Sequence, residues 1–324
     1  MRAVRVHELV GPPGLKVDEL PVPVPGPGEV RVSVKAAGVN FPEVLLSYGR
    51  YQFKPPPPFI PGGEASGVVS AVGDGVTSLA VGDRVAGTLI HGTFAEEVLF
   101  PELALVKLPD AVSFEAGAVT LLTYATTIHA LVDRAALKAG ETLLVLGAAG
   151  GVGTAAVQLG KLLGARVIAA ASSPEKLEFC RAMGADEVVD YTRDDLKDAV
   201  KALTGGDGVN VIYDPVGGKY SEAALRAIAW EGRHLVVGFA AGEIPRLPLN
   251  LTLLKGCQVV GVFWGSFAMR QPKKNRANGE QLLRWVAEGK LKPHLDATLP
   301  FERAGEALSR LERREVKGKL ALVP

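Results

Sequence analysis

A glycine-rich stretch in the middle of the chain has the spacing of a phosphate-binding turn. An apolar run, Thr142–Gly147, leads into AAGGVG (Ala148, Ala149, Gly150, Gly151, Val152 and Gly153), and a helical pattern follows over Gly151–Leu163. Glycine lets the backbone turn tightly and lets a pyrophosphate approach the main chain, and the helix N-terminus adds N–H donors. This context predicts a dinucleotide-binding turn, although Ala148 replaces the first glycine of the usual GxGxxG pattern. No Gly-Lys-Ser/Thr follows at the spacing of a P-loop.

The residues after the next strand bear on the choice between NADH and NADPH. Sites for NAD usually place an acid at the end of that strand, where it contacts the ribose 2′-hydroxyl. This chain has no acid there, and Ser172 and Lys176 stand nearby. A hydroxyl and an ammonium can bind a 2′-phosphate through charge-assisted hydrogen bonds, so we predict NADPH as the cofactor.

Alternating strand and helix patterns around the turn predict the elements that position it. Serial βαβ units indicate a doubly wound parallel sheet. The strands are expected at Thr142–Gly147, Ala165–Ala170, Glu187–Val189, Val209–Asp214, His234–Gly238 and Gln258–Phe263, and the helices at Gly151–Leu163, Pro174–Met183, Asp194–Leu203 and Lys219–Ile228.

The sequence before residue 116 predicts a mainly β domain. Short β-branched runs such as Val30–Val34 and Gly67–Val72 alternate with proline- and glycine-rich turns, which favours a barrel-like fold. The tail predicts two helices and a last strand, Leu320–Val323, which we expect to have no partner in the tail and to return to the first domain. We therefore predict a discontinuous domain of residues 1–115 and 264–324 around a central domain of residues 116–263.

Composition excludes several classes of function. The 324 residues contain 36 Lys and Arg against 35 Asp and Glu, so no net field attracts nucleic acid or an anionic membrane. Two cysteines, Cys180 and Cys257, cannot form a disulfide framework or a four-cysteine zinc lobe. No apolar run approaches the ~18 residues of a membrane span, so we expect a soluble, cytoplasmic protein. Few heat-labile residues and many loop prolines favour a thermophilic source.

Beyond these patterns, the chain resembles the medium-chain dehydrogenase/reductase superfamily, and within it the zinc-free quinone oxidoreductase branch that includes zeta-crystallin. The resemblance implies a Rossmann domain, a GroES-like catalytic domain completed by the tail, and a homodimer joined through Gln258–Phe263. It rests on the glycine turn and on four further motifs: Ala37–Phe41, Pro61–Gly67, Val81–Val85 and Tyr213–Gly218.

The departures from the zinc-dependent members of the superfamily concern the metal ligands. Those members have a cysteine at the position of Asn40, a histidine at Gly63 and a further cysteine in the region of Leu121–Thr123. Zinc requires thiolate or imidazole at such positions. The five histidines show no HExxH or paired spacing. We therefore predict that the chain holds no metal ion.

A site without a metal needs an acceptor that delocalises the incoming charge, as a quinone or an α,β-unsaturated carbonyl does. The resemblance implies that Asn40, Tyr51 and Thr126 line the reaction site, with Asn40 able to donate from its amide, while Leu45 replaces a second tyrosine of relatives. It also implies cofactor contacts from Tyr191 and Arg314 around the 2′-phosphate and from Gly238 and Phe239 near the nicotinamide.

Three functions remain open. The leading one is hydride transfer from NADPH to a quinone without zinc. The second is reduction of the C=C bond of an enoyl or enone substrate, which needs a proton donor such as Tyr51. The third is a non-catalytic NADPH-binding redox sensor or an RNA-binding protein, and the near-zero net charge argues against RNA.

The cofactor assignment predicts the behaviour of a Lys176→Ala variant. Loss of a charge-assisted bond to the 2′-phosphate should lower kcat/KM for NADPH by roughly tenfold or more, and leave NADH nearly unaffected. Initial rates with both cofactors measure this. An equal loss with the two cofactors would contradict the assignment.

Overall fold

The computed structural model describes all 324 residues, and these form two compact units. The discontinuous unit comprises Met1–Ala125 and Gly265–Pro324, and the central unit comprises Thr126–Trp264. The sequence pattern placed these boundaries at residues 115/116 and 263/264. No helix is long and apolar enough to cross a membrane.

The chain forms fifteen strands and eleven α-helices. The strands are β1 (Arg2–Val6), β2 (Leu15–Glu19), β3 (Glu29–Val39), β4 (Glu64–Val72), β5 (Arg84–Thr88), β6 (Glu97–Pro101), β7 (Leu105–Lys107), β8 (Thr142–Leu146), β9 (Arg166–Ala171), β10 (Glu187–Asp190), β11 (Val209–Asp214), β12 (Ile228–Val236), β13 (Gln258–Gly261), β14 (Leu295–Pro300) and β15 (Lys319–Val323). The helices are α1 (Phe41–Ser47), α2 (Phe114–Ala118), α3 (Leu121–Ile128), α4 (Gly151–Leu162), α5 (Pro174–Ala182), α6 (Leu196–Leu203), α7 (Lys219–Arg226), α8 (Asn250–Lys255), α9 (Trp264–Arg270), α10 (Pro272–Ala287) and α11 (Ala304–Glu312).

The discontinuous unit is built on the long strand β3. Its alternating valines Val30, Val32 and Val34 are buried, which gives the strand one core-facing side. It pairs antiparallel with β4, β6 and β15 within a seven-stranded sheet. A separate two-stranded sheet joins β1 to β2.

The last strand of the chain departs from the expectation in one respect. β15 pairs antiparallel with β3, but it also pairs in parallel with β14, so the expectation that it has no partner in the tail is wrong. The helix α11 connects β14 to β15 as the crossover of a parallel pair. Strand β14 lies at the edge of the sheet and its residues are mostly half-buried or exposed, so its sequence lacks the apolar pattern of a buried strand.

The central unit confirms the predicted doubly wound parallel sheet. Its six strands have the order β10-β9-β8-β11-β12-β13, and every pair in it is parallel. Residues Leu143–Leu146 of β8 are fully buried, as expected for a strand covered by helices on both faces. The strand order reverses between β8 and β11, and ligands of such sheets bind at the carboxyl ends of the strands beside this reversal.

Candidate functional site

The glycine-rich turn follows β8, at the reversal of strand order. Gly147 leaves the strand with a φ of 59°, and a Cβ there would lie 2.8 Å from Val216 Cγ2, so this position requires glycine. Helix α4 begins at Gly151, and its first i→i−4 bond runs from Thr154 N to Gly150 O at 2.8 Å. The N–H groups of Gly151–Gly153 precede that bond and are free of intrahelical acceptors. The turn therefore presents a row of donors at a positive helix end, which suits a pyrophosphate.

Two further glycines of the turn, Gly150 and Gly153, have different physical roles. A Cβ at Gly153 would lie 2.3 Å from Gly147 O and 2.7 Å from Ala148 Cα, so glycine allows the helix to pack against the end of β8. A Cβ at Gly150 would have only Gly147 O as a neighbour, at 3.4 Å. The space above Gly150 is thus open toward any ligand at the turn, and the residues fit a dinucleotide.

The other residues predicted to contact the cofactor follow the neighbouring strands at the same sheet edge. Ser172 and Lys176 come after β9, Tyr191 after β10, and Gly238 and Phe239 after β12. Ser173 caps α5, and its Oγ accepts from Lys176 N at 3.4 Å. The Tyr191 ring packs against the Tyr220 ring with centroids 4.4 Å apart. The structure therefore places these five residues at the carboxyl ends of the parallel strands, and their contacts with a cofactor stay a prediction.

Asp214 belongs to the sequence motif Tyr213–Gly218, and the structure gives it a role that the motif did not indicate. Its Oδ1 accepts from Val216 N and Gly217 N at 2.9 Å each. Its Oδ2 accepts from the hydroxyl of Ser221 and lies 3.1 Å from His234 Nε2. Burial acts to raise the pKa of the Asp214 carboxyl. The hydrogen bonds from His234, Ser221 and the loop amides outweigh burial, so the pKa of Asp214 is lowered. Asp214 thereby holds the loop after β11 beside the glycine turn.

The main chain of the same loop fixes the segment after β12. Val237 N donates to Asp214 O at 2.9 Å, and Ala240 N donates to Pro215 O at 3.0 Å. The predicted nicotinamide contacts Gly238 and Phe239 are thus held by the loop that Asp214 organises. A buried Asp, Ser and His at positions 214, 221 and 234 gave no local sequence signal, since the group forms only when β11, α7 and β12 are assembled.

In the discontinuous unit, Asn40 precedes α1 and is 5% exposed. Its Nδ2 donates to Glu64 Oε1 at 3.1 Å and to Gly38 O at 3.4 Å, and its Oδ1 accepts from Lys319 Nζ. Both amide protons therefore have acceptors inside the protein. Donation from Asn40 to a substrate stays a prediction, and it requires one of these two bonds to be released.

Asn40 belongs to a buried cluster of four polar side chains, which sequence reasoning did not find. The cluster comprises Asn40, Glu43, Glu64 and Lys319, each 5% exposed or less. Lys319 Nζ lies 2.7 Å from Glu64 Oε1, and Glu64 Oε2 accepts from Leu122 N at 2.9 Å. Asn40 and Glu64 lie in motifs of the sequence, but no pattern joins them to Lys319, which begins an apolar strand 255 residues after Glu64.

Burial dominates the titration of Glu43. Removal from water raises the pKa of its carboxyl from 4.5 to about 7, although nearby Lys319 and the bond from Asn40 N, 2.7 Å from Glu43 Oε2, oppose the rise. Burial, with the Glu43 carboxyl nearby, also raises the pKa of the Tyr51 hydroxyl. Tyr51 therefore keeps its proton at neutral pH, as a hydrogen-bond or proton donor must.

The remaining predicted residues divide between the two units. Thr126 lies on α3 and is the first residue of the central unit. Arg314 lies in the discontinuous unit just after α11, with a φ of 59°. Leu45 is a half-buried residue of α1. Their contacts with substrate or cofactor stay predictions.

The three positions at which zinc-dependent relatives carry ligands do not suit a zinc ion in this chain. Asn40 is engaged by Lys319 and Glu64, and Leu122 contributes its N–H to Glu64. A Cβ at Gly63 would lie 3.0 Å from Leu122 Cδ1 and 3.1 Å from Glu43 Oε1, so a histidine there would crowd both side chains. A cationic ammonium beside these groups repels a second cation. No group of three or more His, Cys, Asp or Glu side chains could share a metal ion.

A parallel sheet with a dinucleotide-binding turn, together with a mainly β unit, is the architecture of two-domain dehydrogenases that use a nicotinamide cofactor. Family models match both parts: "Alcohol dehydrogenase GroES-like domain" over residues 26–110 and "Zinc-binding dehydrogenase" over residues 151–288. "Zinc-binding dehydrogenase" is the name of the whole family model. A zinc ion does not fit the side chains at the corresponding positions of this chain.

Individual relatives point to one branch of this class. The Quinone oxidoreductase-like protein 2 homolog of Nematostella vectensis is 41% identical over 99% of this chain and 88% of its own length. Human quinone oxidoreductase is 34% identical over 95% of this chain and 92% of its own length. The structure of Escherichia coli quinone oxidoreductase complexed with NADPH superposes with a TM-score of 0.90 at 28% identity, covering 100% of both chains. The chain belongs to the medium-chain dehydrogenase/reductase superfamily, in its quinone oxidoreductase branch.

The raised pKa of Glu43 predicts a pH dependence of stability. Between about pH 4.5 and pH 7 the folded protein binds a proton at Glu43 that the unfolded chain has lost, so this group's contribution to stability falls as the pH rises. A Glu43→Gln variant keeps an acceptor for Asn40 N without the charge. It should match the parent near pH 5 and exceed it near pH 8, by on the order of 2 kcal/mol.

Chemical denaturation at a series of pH values measures this difference. Glu8→Gln, at an exposed glutamate of the same unit, serves as the control and should keep the parent's pH profile. A Glu43→Gln variant whose stability also follows the parent at every pH would contradict the prediction.

Proposed function

We propose that this protein reduces quinones with NADPH and without a metal ion. The observation that carries the proposal is that the positions which hold zinc ligands in relatives are taken up by internal bonds in the discontinuous unit, while the central unit has a glycine turn that suits a dinucleotide. Human quinone oxidoreductase, matched over 95% of this chain, and a quinone oxidoreductase-like relative, matched over 99%, support the same activity.

The residues after β9 support NADPH over NADH. No carboxylate follows that strand to repel a 2′-phosphate, and Ser172 and Lys176 stand at the start of α5. The donors of Gly151–Gly153 are placed to hold the pyrophosphate, and the Asp214 loop holds the segment of Gly238 and Phe239 that would border the nicotinamide. The Escherichia coli relative whose structure superposes on this chain is complexed with NADPH.

When bound, NADPH supplies a hydride, and a quinone accepts it together with one proton to give a hydroquinone. A quinone spreads the incoming charge over its ring, so a Lewis acid is not needed. The chain's contribution is to orient the acceptor, exclude water and keep donors protonated. We assign these tasks to Tyr51 and Thr126, with Asn40 shaping the start of α1.

Reduction of an enone is the second candidate, and the state of Tyr51 favours it. Addition of hydride to a C=C bond leaves an enolate that needs a proton at carbon. Burial and the nearby Glu43 keep the Tyr51 hydroxyl protonated, so it can act as the acid.

Turnover of two acceptor classes separates these functions. With NADPH in excess, we expect 1,4-benzoquinone to be reduced and 2-enoyl thioesters to be reduced at least tenfold more slowly. Both acceptors delocalise the incoming charge, but the hydroquinone anion takes its proton at oxygen, whereas the enolate needs a positioned acid to deliver a proton to carbon. Loss of NADPH absorbance measures both rates. Faster reduction of the thioester would favour the second candidate, and reduction of neither would contradict both.

We also propose a homodimer joined along β13. This strand is the last of the central sheet and pairs only with β12, so its outer edge has unpaired backbone groups. Apolar side chains are exposed on and near it: Val259 is 42% exposed, Phe263 59% and Trp230 69%. A second copy pairing edge to edge would satisfy the backbone and cover these side chains.

Light scattering during size-exclusion chromatography should therefore give twice the chain mass of 34.0 kDa. A Val259→Lys variant places a charge at the edge strand and should shift the mass to that of one chain. Val24→Lys, at an 81% exposed valine of the discontinuous unit, is the matched control and should stay dimeric. A parent of single-chain mass would refute the dimer.

A further inference from the structure

The ammonium of Lys319 is almost completely removed from water. The residue is 4% exposed, and Nζ donates to Val39 O at 2.9 Å, to Glu64 Oε1 at 2.7 Å and to Asn40 Oδ1. An ammonium has three protons, so every donor is used. This satisfied geometry is what a buried charge needs to be tolerated.

The bonds of Lys319 and Glu64 together join four segments that are distant in sequence. Lys319 begins β15, Val39 and Asn40 lie at the junction of β3 and α1, and Glu64 begins β4. Glu64 then reaches Leu122 in the first turn of α3 through its second oxygen. One charged pair therefore fixes the start of two helices relative to the sheet of the discontinuous unit.

The same bonds determine which way the Asn40 amide faces. Lys319 can only donate, so the atom beside it must be Oδ1, and the carboxylate of Glu64 can only accept, so the atom beside it must be Nδ2. The Glu64 carboxylate is also packed against the main chain, because a Cβ at Gly38 would lie 2.5 Å from Glu64 Oε1 and 2.2 Å from Ala118 O, so position 38 requires glycine.

We propose that Lys319 is a positioning residue for the reduction, whose buried ammonium locks the Asn40 amide and the Glu64 carboxylate in one orientation. The Lys319 ammonium then places a positive charge beside Asn40, the position that holds a metal ligand in zinc-dependent relatives. The proposal rests on the proposed function for its kinetic consequence, but the orientation of the Asn40 amide can be observed without any substrate.

Side-chain amide NMR observes that orientation directly. The chain has five asparagines, so selective 15N-asparagine labelling gives five side-chain amide pairs, and Asn40→Ala identifies the pair of Asn40. We expect two well-separated, slowly exchanging proton signals in the parent and in Lys319→Arg. In Lys319→Met the pair should shift and exchange faster. An Asn40 pair unchanged in Lys319→Met would overturn the proposal.

A double variant separates positioning from stability. Lys319→Met leaves Glu64 as an unpaired buried charge and should lower the melting temperature, and Lys319→Met combined with Glu64→Gln should regain most of that loss. The kcat of the double variant should nevertheless stay at least tenfold below the parent. The new side-chain amide must keep its oxygen toward Leu122 N, so its NH2 faces Asn40 and reverses the orientation that Lys319 imposes on the Asn40 amide. The Kd for NADPH should not change, since neither Lys319 nor Glu64 is among the residues predicted to contact the cofactor.

Lys16→Met, at an exposed lysine on strand β2, is the matched control and should keep parental stability and kcat. Recovery of stability and kcat in parallel in the double variant would show that the pair only stabilises the fold, and would overturn the proposal. A parent that binds NADPH and reduces no quinone would instead refute the proposed function, and the amide signal of Asn40 would still decide the role of Lys319.

Discussion

A buried charge must be paired, and in the discontinuous unit this constraint is met by Lys319 and Glu64, 2.7 Å apart. Breaking such a pair by removing one partner typically costs about 3–5 kcal/mol, because the other charge is left without water or counter-charge. Both groups lie at element boundaries, so the pair holds the β3–α1 junction, the first turn of α3 and the last strand together. The discontinuous unit is organised by an ion pair within the protein.

The central unit is organised by backbone donors and close packing. Gly153 lets α4 begin against the end of β8. Asp214 accepts hydrogen bonds from the main-chain amides of the loop after β11. These arrangements occur on either side of the reversal of strand order, where a parallel sheet leaves a crevice. The predicted cofactor site therefore needs no charged side chain to form, and the selectivity expected from Lys176 stays a prediction.

The sequence was sufficient to predict the features that rest on local patterns. The glycine turn was recognisable because a buried strand precedes it and an amphipathic helix follows, and the parallel sheet followed from the βαβ rhythm. Strand β14 was missed because an edge strand has no buried face to produce alternation. The cluster around Lys319 was missed because its members lie at positions 40, 43, 64 and 319, and no periodicity links them. Asn40 was singled out as a donor to substrate, whereas its amide protons have acceptors within the fold.

The central claim is that this member of the superfamily works without zinc. The most direct test is to measure zinc per chain by elemental analysis in the preparation whose oxidation of NADPH by benzoquinone is followed, before and after dialysis against a chelator. The account predicts only trace zinc and an unchanged rate of turnover. One zinc per chain, with activity lost on its removal and restored on its return, would contradict it.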